Sequence, residues 1–147
     1  MSYSSSPVLT GYKSVDESRT NTATRSADTS LVLRLDGYTT YHIKSMLHWT
    51  TATGNPGINQ RIGITVGFLQ ALKGTVMTFD AGGTLIDSTI GTGTSKSLVA
   101  GDYFTLIDAS LITSIAPTVF ITWGQFVSSP DATTLNNGSY IIATKLK

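Results

Sequence analysis

The chain has 147 residues, no cysteine, a formal charge of +1 and 13% charged residues. A single domain of this length buries roughly 68–70% of its unfolded surface and holds a core without staples; the lack of cysteine excludes a disulfide framework or a cysteine zinc site, and the charge balance excludes the basic stripe of a nucleic-acid binder. No apolar run approaches the roughly 20 residues of a membrane span, and Met1-Ser2-Tyr3-Ser4-Ser5-Ser6 lacks a charged region followed by an apolar one, so cytosolic synthesis and no membrane partner are expected.

Thr, Ser and Gly are abundant, Glu17 is the single glutamate, and helix-forming periodic runs are missing, which favours strands and turns. Residues 1–28 read as an extended polar arm in which Tyr3, Pro7, Val8, Leu9, Tyr12 and Val15 are scattered apolar anchors. That density is too low to offset a backbone entropy of about 1–2 kcal/mol per ordered residue, so the arm is expected to drape loosely or to order against a partner. Tyr3, Leu9 and Tyr12 are its candidate contacts, and Arg19 and Arg25 are candidates for binding a partner carboxylate.

A folded body over residues 29–147 follows. Leu31, Leu33 and Leu35 share one face of a first strand that Asp36-Gly37 ends. In a long strand from Tyr38 to Thr50, Tyr41, Ile43, Ser45, Leu47 and Trp49 point one way while His42, Lys44, Met46 and His48 point the other, towards solvent or a subunit interface. Thr51 to Gly57 is a loop; Ile62, Ile64, Val66 and Phe68 form the next period-two run, and shorter strands are expected at Thr75–Asp80, Thr84–Ile90 and Lys96–Val99. Gly101 to Ile112 has apolar residues at several spacings. Its β-branched and aromatic content favours a strand, with Asp102 and Asp108 as turn or bulge residues and helix as the alternative. The last two strands, Thr118–Val127 and Gly138–Leu146, flank a loop from Ser128 to Asn137. Trp49 and Trp123 are expected in the core. Eight to ten short strands between turn signals give an all-β fold, a β-sandwich of jelly-roll type.

The chemistry-bearing residues do not assemble into a catalytic pattern. His42 and His48 share a face but lie roughly 20 Å apart at about 3.3 Å per residue, too far to share a metal. No Gly-X-Ser-X-Gly elbow or phosphate loop occurs, and the aspartates are dispersed beside Gly, Pro or expected turns. No catalytic residue, cofactor or metal is expected, and no enzymatic activity.

Trp123-Gly124-Gln125, Ser128-Ser129, Asp131-Ala132-Thr133-Thr134-Leu135 and Gly138-Ser139-Tyr140-Ile141 together resemble the C-terminal signature of tailed-bacteriophage virion proteins. A second patch similar to that group runs from Thr39-Thr40-Tyr41 through Leu47, Trp49, Gly54 and Pro56-Gly57 to Gln60-Arg61-Ile62-Gly63. Ile107-Asp108-Ala109-Ser110-Leu111 occupies the place of an Ile-Glu-Gly-like strand and departs from it at Asp108 and Ala109. The spaced match covers residues 29–146. The resemblance implies a jelly-roll body and a structural role: a capsid decoration or cement protein, a homotrimer on the capsid surface whose partners are itself and the major capsid protein. It leaves open a head or tail fibre module that grips a host glycan through exposed aromatics, with Tyr38 and Trp49 as candidates.

Overall fold

The computed structural model describes residues 8–65 and 68–146. Among these residues all regular structure is strand: β1 Val8–Tyr12, β2 Glu17–Arg19, β3 Ser26–Arg34, β4 Thr40–Thr51, β5 Ile58–Ile64, β6 Phe68–Asp80, β7 Leu85–Ile90, β8 Gly93–Lys96, β9 Gly101–Thr113, β10 Thr118–Gly124, β11 Thr133–Leu135 and β12 Tyr140–Lys145. The pairings are nested: β1 with β12, β3 with β10, β4 with β9 and β5 with β8, all antiparallel. The chain is thus one long doubled ribbon, rolled so that successive pairs alternate between two facing sheets. This is a β-sandwich of jelly-roll type. One sheet runs β1-β12-β4-β9-β6-β7 and the other β3-β10-β5-β8. The β6–β7 hairpin is an excursion between β5 and β8 that widens the large sheet beyond β9. Short β11 continues the line of β12 along β4, and β2 continues the line of β1 along β11.

The core lies between the sheets, where period-two alternation puts Leu31, Leu33, Tyr41, Ile43, Leu47 and Ile121 at no more than 3% exposure. Trp49 from the large sheet and Trp123 from the small one meet edge-on at 5.4 Å between ring centroids. Both indoles are fully buried, and each finds an acceptor. Trp49 Nε1 donates to Thr105 Oγ1 at 3.1 Å, and Trp123 Nε1 donates to Asp28 Oδ2 at 3.2 Å. Gly101–Thr113 is a strand throughout, inward at Tyr103, Ile107 and Leu111, so its alternation rather than its mixed spacings describes it. Asp102 and Asp108, expected at turns or bulges, instead sit inside β9 and face outward.

The expected arm needs the largest correction. It is extended, but from Val8 onward it is laid on its own sandwich rather than left free. Val8 to Tyr12 pairs with Thr144 to Tyr140, and Glu17 to Arg19 pairs with Leu135 to Thr133. Ser26–Asp28 already belongs to β3, so the body takes in residues assigned by sequence to the arm. The apolar count was indeed low; ladder hydrogen bonds and a buried ion pair replace it. Lys13, 4% exposed, puts Nζ 2.6 Å from Oδ2 of Asp28 and 2.8 Å from Oε2 of Glu17. Oδ1 of Asp28 accepts from the backbone N–H groups of Ser30 and Leu31 at 2.9 and 3.1 Å. These bonds close a bulge in β3, where Ala27 faces Thr122 and Val32 faces Phe120, so that four residues are accommodated opposite Ile121 alone.

Candidate functional site

The outer face of the large sheet is where the apolar surface collects. The register lines up Tyr140, Met46, Leu106 and Met77 in one row across β12, β4, β9 and β6. The next row is His48, Phe104 and Phe79, continued by Leu85 on β7. All of these except Leu85 are partly buried, and Leu85 is exposed. The Met46–Leu106 ridge separates two hollows. One of about 340 Å³ is floored by Phe79 and Phe104, and one of about 360 Å³ lies between Met77 and Tyr140. His48 packs edge-on to Phe104 at 4.6 Å between centroids, with Nε2 3.2 Å from Sδ of Met46.

Polar rows border this patch at both ends. On one side Lys44 stands across from Asp108, with Lys73 and His42 in the row beyond; Asp108 Oδ1 lies 2.7 Å from His42 Nε2. On the other, Thr50 Oγ1 donates to Asp102 Oδ1 at 2.6 Å. His42, Lys44, Met46 and His48 therefore do share the outward face of β4, and the register adds what one strand could not reveal, namely their apolar neighbours on β6, β9 and β12. Sequence reading missed Phe79, Phe104, Leu106 and Tyr140 as surface residues because alternation identifies the face of each strand but not which strands adjoin.

The candidates in the first 28 residues scatter. Tyr3 lies outside the described residues. Leu9 turns inward against the core, and Tyr12 is exposed on β1. Arg19 is engaged within the chain: Nε and Nη2 donate to Glu17 Oε1 at 3.1 Å, Nη1 donates to Ser26 and to the Trp123 carbonyl, and the guanidinium stacks 3.8 Å from the Trp123 ring centroid. A residue committed to that many internal partners has little left for another molecule. Arg25 is exposed, with Nη1 donating to Asn59 Oδ1 at 3.2 Å. Trp49, a candidate for gripping a glycan, is fully buried, whereas Tyr38 is 80% exposed.

The Trp-Gly-Gln motif acquires a physical role. Trp123 fills the core. Gly124 is required because a Cβ there would come within 2.7 Å of the Thr24 carbonyl oxygen as the chain crosses from one sheet to the other. Gln125, fully buried, accepts at Oε1 from the backbone N–H groups of Thr22 and Ser129 at 3.2 and 3.1 Å, and its Nε2 donates to the Asp131 carbonyl at 2.6 Å. It ties the crossing segment to the Ser128–Asn137 loop.

Among the described residues no three His, Cys, Asp or Glu side chains come together to hold a metal, and no helix is long and apolar enough to cross a membrane. No protein-family model and no curated protein sequence matches the chain. Among solved structures it is similar to Eiger TNF from S. frugiperda, with a TM-score of 0.52 at 8% identity over 96% of this chain and 94% of that one. That likeness shows the fold alone. It is also similar to the CBM22-1 xylan-binding domain from Paenibacillus barcinonensis Xyn10C, with a TM-score of 0.36 at 10% identity over 99% of this chain and 100% of that one. The infectious bursal disease virus Gx strain gives a TM-score of 0.30 at 14% identity over 95% of this chain and 40% of that one. At such scores neither bears on function.

Proposed function

We propose that this chain is a structural virion protein of the decoration or cement type, a homotrimer that seats on the outside of a phage capsid and stabilises the shell through contacts with the major capsid protein. The observation that carries the reading is the pair of apolar rows on the outer face of the large sheet. At about 4.8 Å between strands and roughly 6.8 Å between rows, they cover on the order of 300 Å². That is the size of the largest apolar patch on an ordinary monomer, which is often functional. It is also about a third of the roughly 800 Å² each partner brings to a stable interface, so it supplies the apolar centre while the bordering polar rows supply the rim.

A second copy of the chain is the occupant that the charges favour. One flank of the patch carries Lys44 and Lys73 with Asp108 between them, a net positive charge, and the other carries Asp102. Around a threefold axis the basic flank of one copy meets the acidic flank of the next, head to tail, about a shared apolar centre. The virion setting is supported by the resemblance over residues 29–146. Linking three copies then raises a weak capsid contact by about 10²–10⁴ without new contacts.

The test has two parts. Light scattering on the purified protein is expected to give about three times the 15.6 kDa of one chain. Adding it to heads of the parent phage stripped of it is expected to restore their resistance to heating. A monomer, or heads that neither bind it nor gain resistance, overturns the proposal.

A further inference from the structure

On the opposite side of the sandwich, a groove of about 410 Å³ runs along the seam between the β7–β8 turn and the outer face of the small sheet. Arg25 and Arg61 form one wall, and Thr89, Thr92 and Ser95 supply hydroxyls along the other. Both arginines are exposed, and among the described residues neither has a carboxylate within ion-pair distance.

The sheet keeps both guanidinium groups uncovered. Arg61 on β5 lies across from Gly93 on β8, where a Cβ would come within 2.5 Å of the Gln60 carbonyl oxygen, so no side chain stands there. Arg25 reaches past Gly124, equally bare, to Asn59, whose Nδ2 is in turn fixed by donating to the Ala23 carbonyl at 3.2 Å. Asp87 on β7 does not neutralise them. Its carboxylate accepts from Thr94 Oγ1 at 2.8 Å and faces Lys96 at 3.9 Å.

We infer that this groove binds an acidic saccharide, with Arg25 and Arg61 holding its carboxylate or sulfate groups and the hydroxyl-bearing wall meeting the ring hydroxyls. Its volume lies within the range of small-molecule sites, about 300–1,000 Å³. Planar guanidinium groups pair bidentately with such anions, which gives orientation as well as attraction. Among the described residues no aromatic ring lines the groove, so a neutral sugar has nothing there to stack on, and Ile90 is the single large apolar side chain among them, too little to seat the flanking residues of an acidic peptide. The inference goes beyond the virion reading and uses a different face.

Calorimetry on the full chain at low salt tests it with four probes: an oligogalacturonate hexamer, a heparin hexasaccharide, neutral maltohexaose and a hexaglutamate peptide. Binding of the first, the second or both is expected, the tighter of the two telling carboxylate from sulfate, with maltohexaose inert. R25A and R61A are each expected to weaken binding at least about tenfold, with melting temperatures unchanged because both side chains are exposed. No binding of either acidic saccharide, hexaglutamate bound as tightly, or affinity indifferent to both substitutions overturns the inference.

Discussion

Lys13 and Asp28, fifteen residues apart, form a buried ion pair at 2.6 Å that fastens the first strands to the small sheet beneath Trp123. Burial by itself opposes ionisation of Asp28, but the hydrogen bonds from Lys13, the Ser30 N–H and Trp123 Nε1, with the charge of Lys13, outweigh it and hold the carboxyl below its ordinary 3.8. Burial likewise disfavours the Lys13 ammonium, yet Asp28 and Glu17 raise its pKa above 10.5. The depressed acid contributes stability above pH 3.8 that is lost as pH falls through its folded value; the raised base contributes stability below pH 10.5 that is lost as pH rises through its own.

Asp28→Asn is therefore expected to cost about 3–5 kcal/mol at pH 7, since it leaves Lys13 buried beside a neutral partner. Urea unfolding followed from pH 7 to pH 2 checks this. The wild type is expected to lose stability below pH 4 more steeply than the variant, and parallel curves would remove Asp28 from the explanation.

Gln125→Ala removes three hydrogen bonds and takes the acceptor from the N–H groups of buried Ser129 and half-buried Thr22. The expected cost is about 2–4 kcal/mol. Hydrogen exchange is expected to quicken at residues 20–25 and 128–131 together while β4 and β9 stay protected, because one side chain bridges the two segments.

Met46→Asp and Leu106→Asp place a charge at the centre of the apolar rows. Both side chains point away from the core, so each variant is expected to keep its circular dichroism spectrum while its mass falls to that of one chain. A weakening of association by at least about thirtyfold is expected from a substitution at the middle of an interface.

Gln60 is fully buried on the inward face of β5, and neither carboxamide atom has a hydrogen-bond partner among the described residues. Gln60→Leu is expected to raise stability by about 1–2 kcal/mol, measured as a higher urea midpoint at unchanged slope.

Alternation made much of the fold legible in the sequence. β4, β10 and β12 were readable because one face of each is buried and the other is not, and a period of two is all that such a strand records, whereas β9 was legible from its β-branched and aromatic content. Strands β1, β2 and β11 were not. They are held by backbone pairing and by Lys13 and Asp28, and neither leaves a hydrophobic rhythm; the ion pair joins residues whose proximity depends on the roll of the ribbon. The same limit governed the outer face. His42, Lys44, Met46 and His48 were recoverable from β4 alone, but the rows that Phe104, Leu106 and Phe79 complete come from lateral register, a long-range property. Arg19 and Arg25 look alike in sequence and have opposite fates, because only the first passes over an indole.

The pairing of β1 with β12 sets Val8 opposite Thr144. The start of β1 and the end of β12 therefore lie side by side at one rim of the sandwich. A short linker between Val8 and Leu146 is then geometrically undemanding, and the chain is a natural candidate for circular permutation, with new ends opened in the exposed turn between β6 and β7. By the same geometry, cargo joined directly at Val8 or at Leu146 is attached at a single pole of the domain.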